Sequence, residues 1–142
     1  MSRFPFGIPN SWYLIAYSDE LLSGDVRRLE YLDRELVAFR GESGQVIVLD
    51  AHCPHLGANL AVGGKVVGDT IQCPLHAWRW GADGACAEIP YSKQTSSKAR
   101  AVSYPVMERN GMVFIWFHAE GKAPDFEIPK IVEWGESGWL TH

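Results

Sequence analysis

Two short loops each set a cysteine and a histidine around a proline, and no other feature of the chain restricts its fold as tightly. The first is Cys53-Pro54-His55, inside "AHCPHLGANL" at residues 51–60, and the second is Cys73-Pro74-Leu75-His76, inside "QCPLHAW" at 72–78. Together they spell C-x-H-x17-C-x2-H. Side chains so close in sequence reach one small object only where the backbone curls around it, and Pro54 with the following Gly57 helps to fix such a curl. The fold must therefore bring both loops side by side.

The rest of the sequence supplies strands to carry them. Short runs rich in Val, Ile, Phe, Trp and Tyr recur at 12–17 ("WYLIAY"), 36–40 ("LVAFR"), 46–50 ("VIVLD") and 112–117 ("MVFIWF"). Turn signals separate them: "GESGQ" at 41–45, "GADG" at 81–84 and "RNG" at 109–111, each with the Gly, Asn or Asp that tight hairpins need. An all-β, antiparallel sandwich or barrel follows. Only "SDELLSG" at 18–24 suits a helical turn, with Ser18 as its cap and Gly24 as its stop. The polar stretch 92–100, "SKQTSSKAR", reads as a surface loop whose Lys93, Lys98 and Arg100 are solvated. The tail "EWGESGWLTH" either packs against something outside the chain or frays.

With 142 residues the chain amounts to a single domain over 1–142, its ligand-bearing part at about 51–90. Its 13 Lys and Arg are outnumbered by 17 Asp and Glu and form no basic run, which argues against a nucleic-acid partner. The longest apolar stretch, 112–117, falls far short of the roughly 20 residues that cross a bilayer as a helix. Pro5, Gly7 and Pro9 interrupt the N-terminus, so no secretory leader is legible and a cytoplasmic setting is expected. Three cysteines are too few for a disulfide scaffold and point to metal binding or buried thiols.

A Cys2His2 donor set holds either a tetrahedral zinc ion or a two-iron cluster in which histidines replace two cysteines on one iron. Structural zinc sites commonly take two cysteines as one close pair and two histidines as the other. Here each loop mixes the types, which suits split ligation: sulfurs on an inner iron, imidazoles on an outer one. A zinc-binding structural module remains the rival from another class. Two thiolates and two neutral imidazoles leave the oxidised unit formally neutral, so an added electron is more welcome than on a four-thiolate cluster. That difference helps explain potentials of about −150 to +300 mV against about −400 mV.

The two loops, the following "WRWGADGACAEIPY" and the later "PVMERNGMVFIWF" resemble the N-terminal Rieske 2Fe-2S domain of Rieske non-haem iron oxygenases, from Trp12 to about Pro129. Residues 73–91 are most similar to the 3-ketosteroid 9α-hydroxylase oxygenase component and cholesterol 7-desaturase group. The resemblance implies a Rieske fold with a small cluster-binding subdomain formed by the two loops, and a 2Fe-2S cluster on Cys53, His55, Cys73 and His76. It also implies an oxidoreductase role: electrons pass from a reductase or ferredoxin to a mononuclear iron in a catalytic domain, usually across a homotrimer interface. Such an iron needs two histidines and a carboxylate. His52, His118 and His142 form no such group with a nearby acid, so the catalytic domain is expected to be absent. A free-standing Rieske ferredoxin is the alternative.

Several residues next to the ligands have plainer readings. Strand alternation turns His52 away from the site beside it, and Cys86 reads as a small buried thiol. High-potential Rieske proteins carry an extra cysteine in each loop and a serine soon after the second histidine. This chain has Leu75, Ala77 and Trp78 in that region, which implies a potential toward the low end of the range. Trp78 and Trp80 alternate and are expected to share one side of a strand, as core or as a shield for the cluster. Gly57, Gly63 and Gly64 serve tight loop geometry.

Overall fold

A central hairpin with both faces buried organises the chain. The computed structural model describes residues 6–136, and within them strands β3 (Arg34–Arg40) and β4 (Val46–Asp50) pair antiparallel, Val37 opposite Leu49 and Phe39 opposite Ile47. Their apolar residues form an unbroken run rather than an alternation because successive side chains enter two different cores. Leu36, Ala38, Val46 and Val48 face one cluster of buried residues with Ile15, Leu21, Val113 and Ile115. Val37, Phe39, Ile47 and Leu49 face the other, with Leu60, Ile71, Trp80 and the thiols of Cys53 and Cys73.

The first core lies between two sheets. One has the order β1 (Ser11–Tyr17), β11 (Met112–Phe117), β10 (Val106–Arg109); the other runs β2 (Val26–Tyr31), β3, β4, β9 (Ser103–Tyr104). The second core lies under a third sheet of short strands, β5 (Lys65–Val67), β6 (Thr70–Gln72), β7 (Arg79–Trp80) and β8 (Cys86–Glu88). Every pairing between strands is antiparallel. The architecture is thus the all-β one expected, with one refinement: the ligand loops rest on a four-stranded sheet of their own.

Three turns show how local chemistry shapes this frame. Asn110 and Gly111 both take left-handed backbone (φ 53° and 69°), closing β10 to β11 as a two-residue hairpin of the kind their sequence demands. Leu32 and Asp33 do the same between β2 and β3 (φ 59° and 56°), although leucine is rarely found there. The expected helical turn contracts to a 3-10 turn at Ser18–Glu20, preceded by Tyr17, whose N–H donates to the Glu20 carboxylate at 2.9 Å. The turn begins after Tyr17 and ends at Leu21 in extended backbone, so Ser18 is not its cap and Gly24, left-handed at φ 84°, is not its stop.

The third sheet is latched to the central hairpin through their tips. Glu42 N–H donates to Gly68 O (2.9 Å), Gly68 N–H returns to Glu42 Oε1 (3.2 Å), and Ser43 N–H donates to Asp69 Oδ1 (3.0 Å). At the other end the chain folds back on β1 and the β10–β11 hairpin. Trp12 Nε1 donates to Phe126 O (2.8 Å), and Asn110 binds both Pro129 O (2.9 Å) and Ile131 N–H (2.8 Å). Trp134 covers Gly111, where a Cβ would overlap its ring. That half of the tail packs on its own chain; Trp139 lies outside the described residues. The 92–100 stretch is largely exposed and free of strand pairing apart from a bridge at Arg100. No helix among the described residues is long and apolar enough to cross a membrane.

Candidate metal centre

The two loops are built to one plan. In the first, Cys53 N–H donates to Ala58 O (2.8 Å) and Gly57 N–H to Cys53 O (2.8 Å); in the second, Cys73 N–H donates to Trp78 O (2.8 Å) and Ala77 N–H to Cys73 O (3.1 Å). Each closes six residues with the fifth in left-handed backbone, Gly57 at φ 81° and Ala77 at φ 61°. Only the histidine differs, third in one loop and fourth in the other. Gly64 sits so close to Leu60 O that a Cβ would collide with it, the tight loop geometry expected, and a Cβ on Gly63 would crowd Pro74 of the second loop.

The four candidate ligands sort by depth. Cys53 and Cys73 are each only 3% exposed, at the edge of the second core. His55 is half-buried and His76 exposed, their ring centroids 5.0 Å apart and their planes 71° apart. Burial pushes the Cys53 thiol above its ordinary pKa; the His55 backbone N–H works against that, the neighbouring Cys73 thiol adds to it, and the Trp80 indole opposes it. Among the described residues no three His, Cys, Asp or Glu side chains form a group suited to a single metal ion. By burial, two deep thiols and two shallower imidazoles come from the paired loops.

Surrounding side chains complete the picture. Trp78 stacks on His55, with centroids 4.1 Å apart and planes 9° apart, and its Nε1 donates to the Tyr91 hydroxyl at 2.6 Å. Trp80 is fully buried, 6.0 Å from the Trp78 ring. The two tryptophans are neighbours, as alternation suggests, yet divide the roles between them: Trp80 is core and Trp78 shields a candidate ligand. His52 points away, toward Glu35 (3.5 Å) and Gly57 O (3.3 Å). Glu35 also accepts from Asn59 Nδ2 (3.0 Å) and from Arg28 (2.7 Å), tying β3 to the first loop. Cys86 is a buried thiol near Glu88 O (3.9 Å). Glu35 and Tyr91 carry no local signal of these roles, since each acts through partners distant in sequence.

Residues 11–105 match the Rieske 2Fe-2S domain family. The chain belongs to that family. Cholesterol 7-desaturase nvd 1 of Ciona intestinalis is 45% identical over 88% of this chain and 27% of its own length. The probable 3-ketosteroid-9-alpha-monooxygenase oxygenase component of Rhodococcus rhodochrous is 40% identical over 90% of this chain and 32% of its own length. The chain thus spans about a third or less of these relatives. Among solved structures, dicamba monooxygenase bound to dicamba superposes with a TM-score of 0.72 at 31% identity, covering 85% of this chain and 38% of the other. The reduced complex between oxygenase and ferredoxin in carbazole 1,9a-dioxygenase gives 0.67 at 33% identity, over 78% of this chain and 29% of the other.

The cofactor of this Rieske domain is a 2Fe-2S cluster of the mixed-ligand type. The residues present fit it. Two buried sulfurs and two outward imidazoles are the donor set such a cluster takes, and the His55 backbone N–H favours a charged sulfur on Cys53.

Proposed function

We propose that Cys53 and Cys73 hold one iron of the cluster and His55 and His76 the other. The chain then passes single electrons from a reductase or ferredoxin to a mononuclear iron site in a catalytic domain or subunit. The observation that carries this reading is the sorting by depth, thiols buried and imidazoles at the surface. Bound there, the cluster takes up and gives back one electron at a time. The protein's part is to keep water from the sulfurs, fix the ring of His55 with Trp78, and present His76 at an accessible edge. Leu56, Leu75 and Tyr91 are exposed on these same loops and on the Trp78 side, giving an apolar rim against which a partner can seat.

A ferredoxin donor is supported by the carbazole 1,9a-dioxygenase oxygenase, which was solved with its ferredoxin. A steroid-type oxygenase component is supported by the cholesterol 7-desaturase and 3-ketosteroid-9-alpha-monooxygenase relatives. A homotrimer with the acceptor iron in a neighbouring subunit, a cytoplasmic location and a single domain over 1–142 belong to the same proposal. The three free cysteines are in keeping with a reducing compartment.

The test is anaerobic assembly of the cluster followed by visible absorption, iron and sulfide analysis, and electron paramagnetic resonance after reduction. Wild type should be red-brown with the low average g of a histidine-ligated cluster, while Cys53→Ser and Cys73→Ser should not be. Colourless protein loaded with zinc would overturn the reading.

A further inference from the structure

Asn110 is the one buried polar side chain among the described residues, 7% exposed, and a glycine follows it. The carboxamide is held at both ends by the returning chain: Nδ2 donates to Pro129 O (2.9 Å), and Oδ1 accepts from Ile131 N–H (2.8 Å). Beside it Arg109 donates to Ile128 O (2.6 Å), and the Trp134 ring lies over Gly111. Residues 127–134 thus form a strap across the tip of the β10–β11 hairpin. Asparagine before glycine is the pair most prone to self-modification, because glycine has no Cβ to hinder its own nitrogen from closing on the asparagine side-chain carbon. Here the carboxamide must turn before that attack, and both of its ends are tied.

We propose that Asn110–Gly111 is a deamidation site which the strap keeps closed, and that its reaction makes release of the strap permanent. When residues 127–134 lift, the Gly111 nitrogen gives up its proton to solvent and attacks Asn110 Cγ. A C–N bond forms, the Cγ–Nδ2 bond breaks, and ammonia leaves with a proton taken from water. Water then opens the cyclic imide at either carbonyl, leaving an aspartate or an isoaspartate. The sum is hydrolysis of an amide, with nothing oxidised or reduced. A carboxylate has no hydrogen to give to Pro129 O and sets a negative charge against it. An isoaspartate also lengthens the turn, which then no longer matches a two-residue hairpin. The strap loses its seat. Asn10 and Asn59 precede Ser11 and Leu60, whose side chains impede the same closure, so both are spared.

The experiment incubates the full chain near neutral pH and follows residue 110 by peptide mass spectrometry, with electron-transfer fragmentation to tell isoaspartate from aspartate. Wild type, Trp134→Ala, Arg109→Ala and wild type unfolded in urea are compared. Loss of one strap contact should raise the open fraction, and with it the rate, by about fivefold to thirtyfold. Unfolded chain should react fastest. Hydrogen exchange at Val113 should stay slow in both variants, showing that the first core is intact. In the deamidated fraction, separated by its added negative charge, exchange at Ile131 should be faster than in the parent. Wild type reacting as fast as unfolded chain, or loosened variants reacting no faster than wild type, overturns the site. A deamidated fraction that protects Ile131 as the parent does overturns the permanence.

Discussion

The imidazole of His55 lies flat on the indole of Trp78 at 4.1 Å, and that indole is held in turn by the hydroxyl of Tyr91 at 2.6 Å. A candidate ligand ring thus has its plane set by a neighbour that is itself oriented from outside the loops. An aromatic pair contributes about 0.5–1.5 kcal/mol beyond its area, a factor of roughly two to ten in an equilibrium. Trp78→Ala should therefore speed cluster loss to a chelator by that factor, followed as bleaching of the visible bands. Tyr91→Phe should give a smaller change, and Trp78→Phe should lie near wild type. If Trp78→Ala bleaches at the wild-type rate, the stack does not support the ligand.

Ala77 and Gly57 occupy equivalent places in the two loops, both left-handed. An L side chain pays roughly 1–2 kcal/mol in that region and glycine almost nothing. Ala77→Gly should stabilise the loaded protein by up to about 1 kcal/mol, after allowing for glycine's greater freedom in the unfolded chain. Gly57→Ala should destabilise it by about 1 kcal/mol, and purely through the backbone, because a Cβ there meets nothing within 4 Å. Denaturant midpoints of the two variants should move in opposite directions.

Arg40 joins β3 to β10 by a two-pronged pair with Glu108, at 2.9 and 2.8 Å. The guanidinium holds the Glu108 carboxyl below the usual carboxylate range. A lowered carboxylate contributes stability above its unfolded pKa of about 4.3 and loses it as the pH falls through the folded value. Glu108 is 34% exposed and Arg40 13%, so the pair is discounted for solvent to about 1–2 kcal/mol. Glu108→Gln should lower stability by that amount at neutral pH, and the gap from wild type should close in acid. A gap independent of pH would refute the assignment.

Glu35 anchors the first loop through Asn59 and stands beside His52. Glu35→Ala should cost about 1–2 kcal/mol by leaving the Asn59 amide short of an acceptor, and should loosen the loop before the base. Hydrogen exchange at Cys53 and Leu60, whose N–H groups bond Ala58 O and Ala51 O, reads this directly. Exchange at Val113 in the first core should stay slow.

The ligand loops were legible because cysteine, proline and histidine in mixed pairs are a chemical signature that needs no neighbours. The strands of the central hairpin were legible for the opposite reason, an apolar run with no alternation. Much of the third sheet was not: strands such as Lys65–Val67 and Arg79–Trp80 are too short for any period to show. Strand Val26–Tyr31 hid behind Arg27, Arg28 and Glu30, since only Leu29 on it is fully buried. The turn at Leu32 and Asp33 carries neither glycine nor asparagine. Trp78 and Trp80 parted company because the left-handed Ala77 keeps Trp78 outside the strand that holds Trp80.

The latch between Glu42, Ser43, Gly68 and Asp69, with one hairpin serving as floor to one core and ceiling to the other, ties the ligand-bearing sheet to the rest of the frame. Under the proposed electron-transfer role, the distance from the imidazole edge to a partner's redox centre would then be set by the fit of whole surfaces, and the rate by how often and how squarely those surfaces meet.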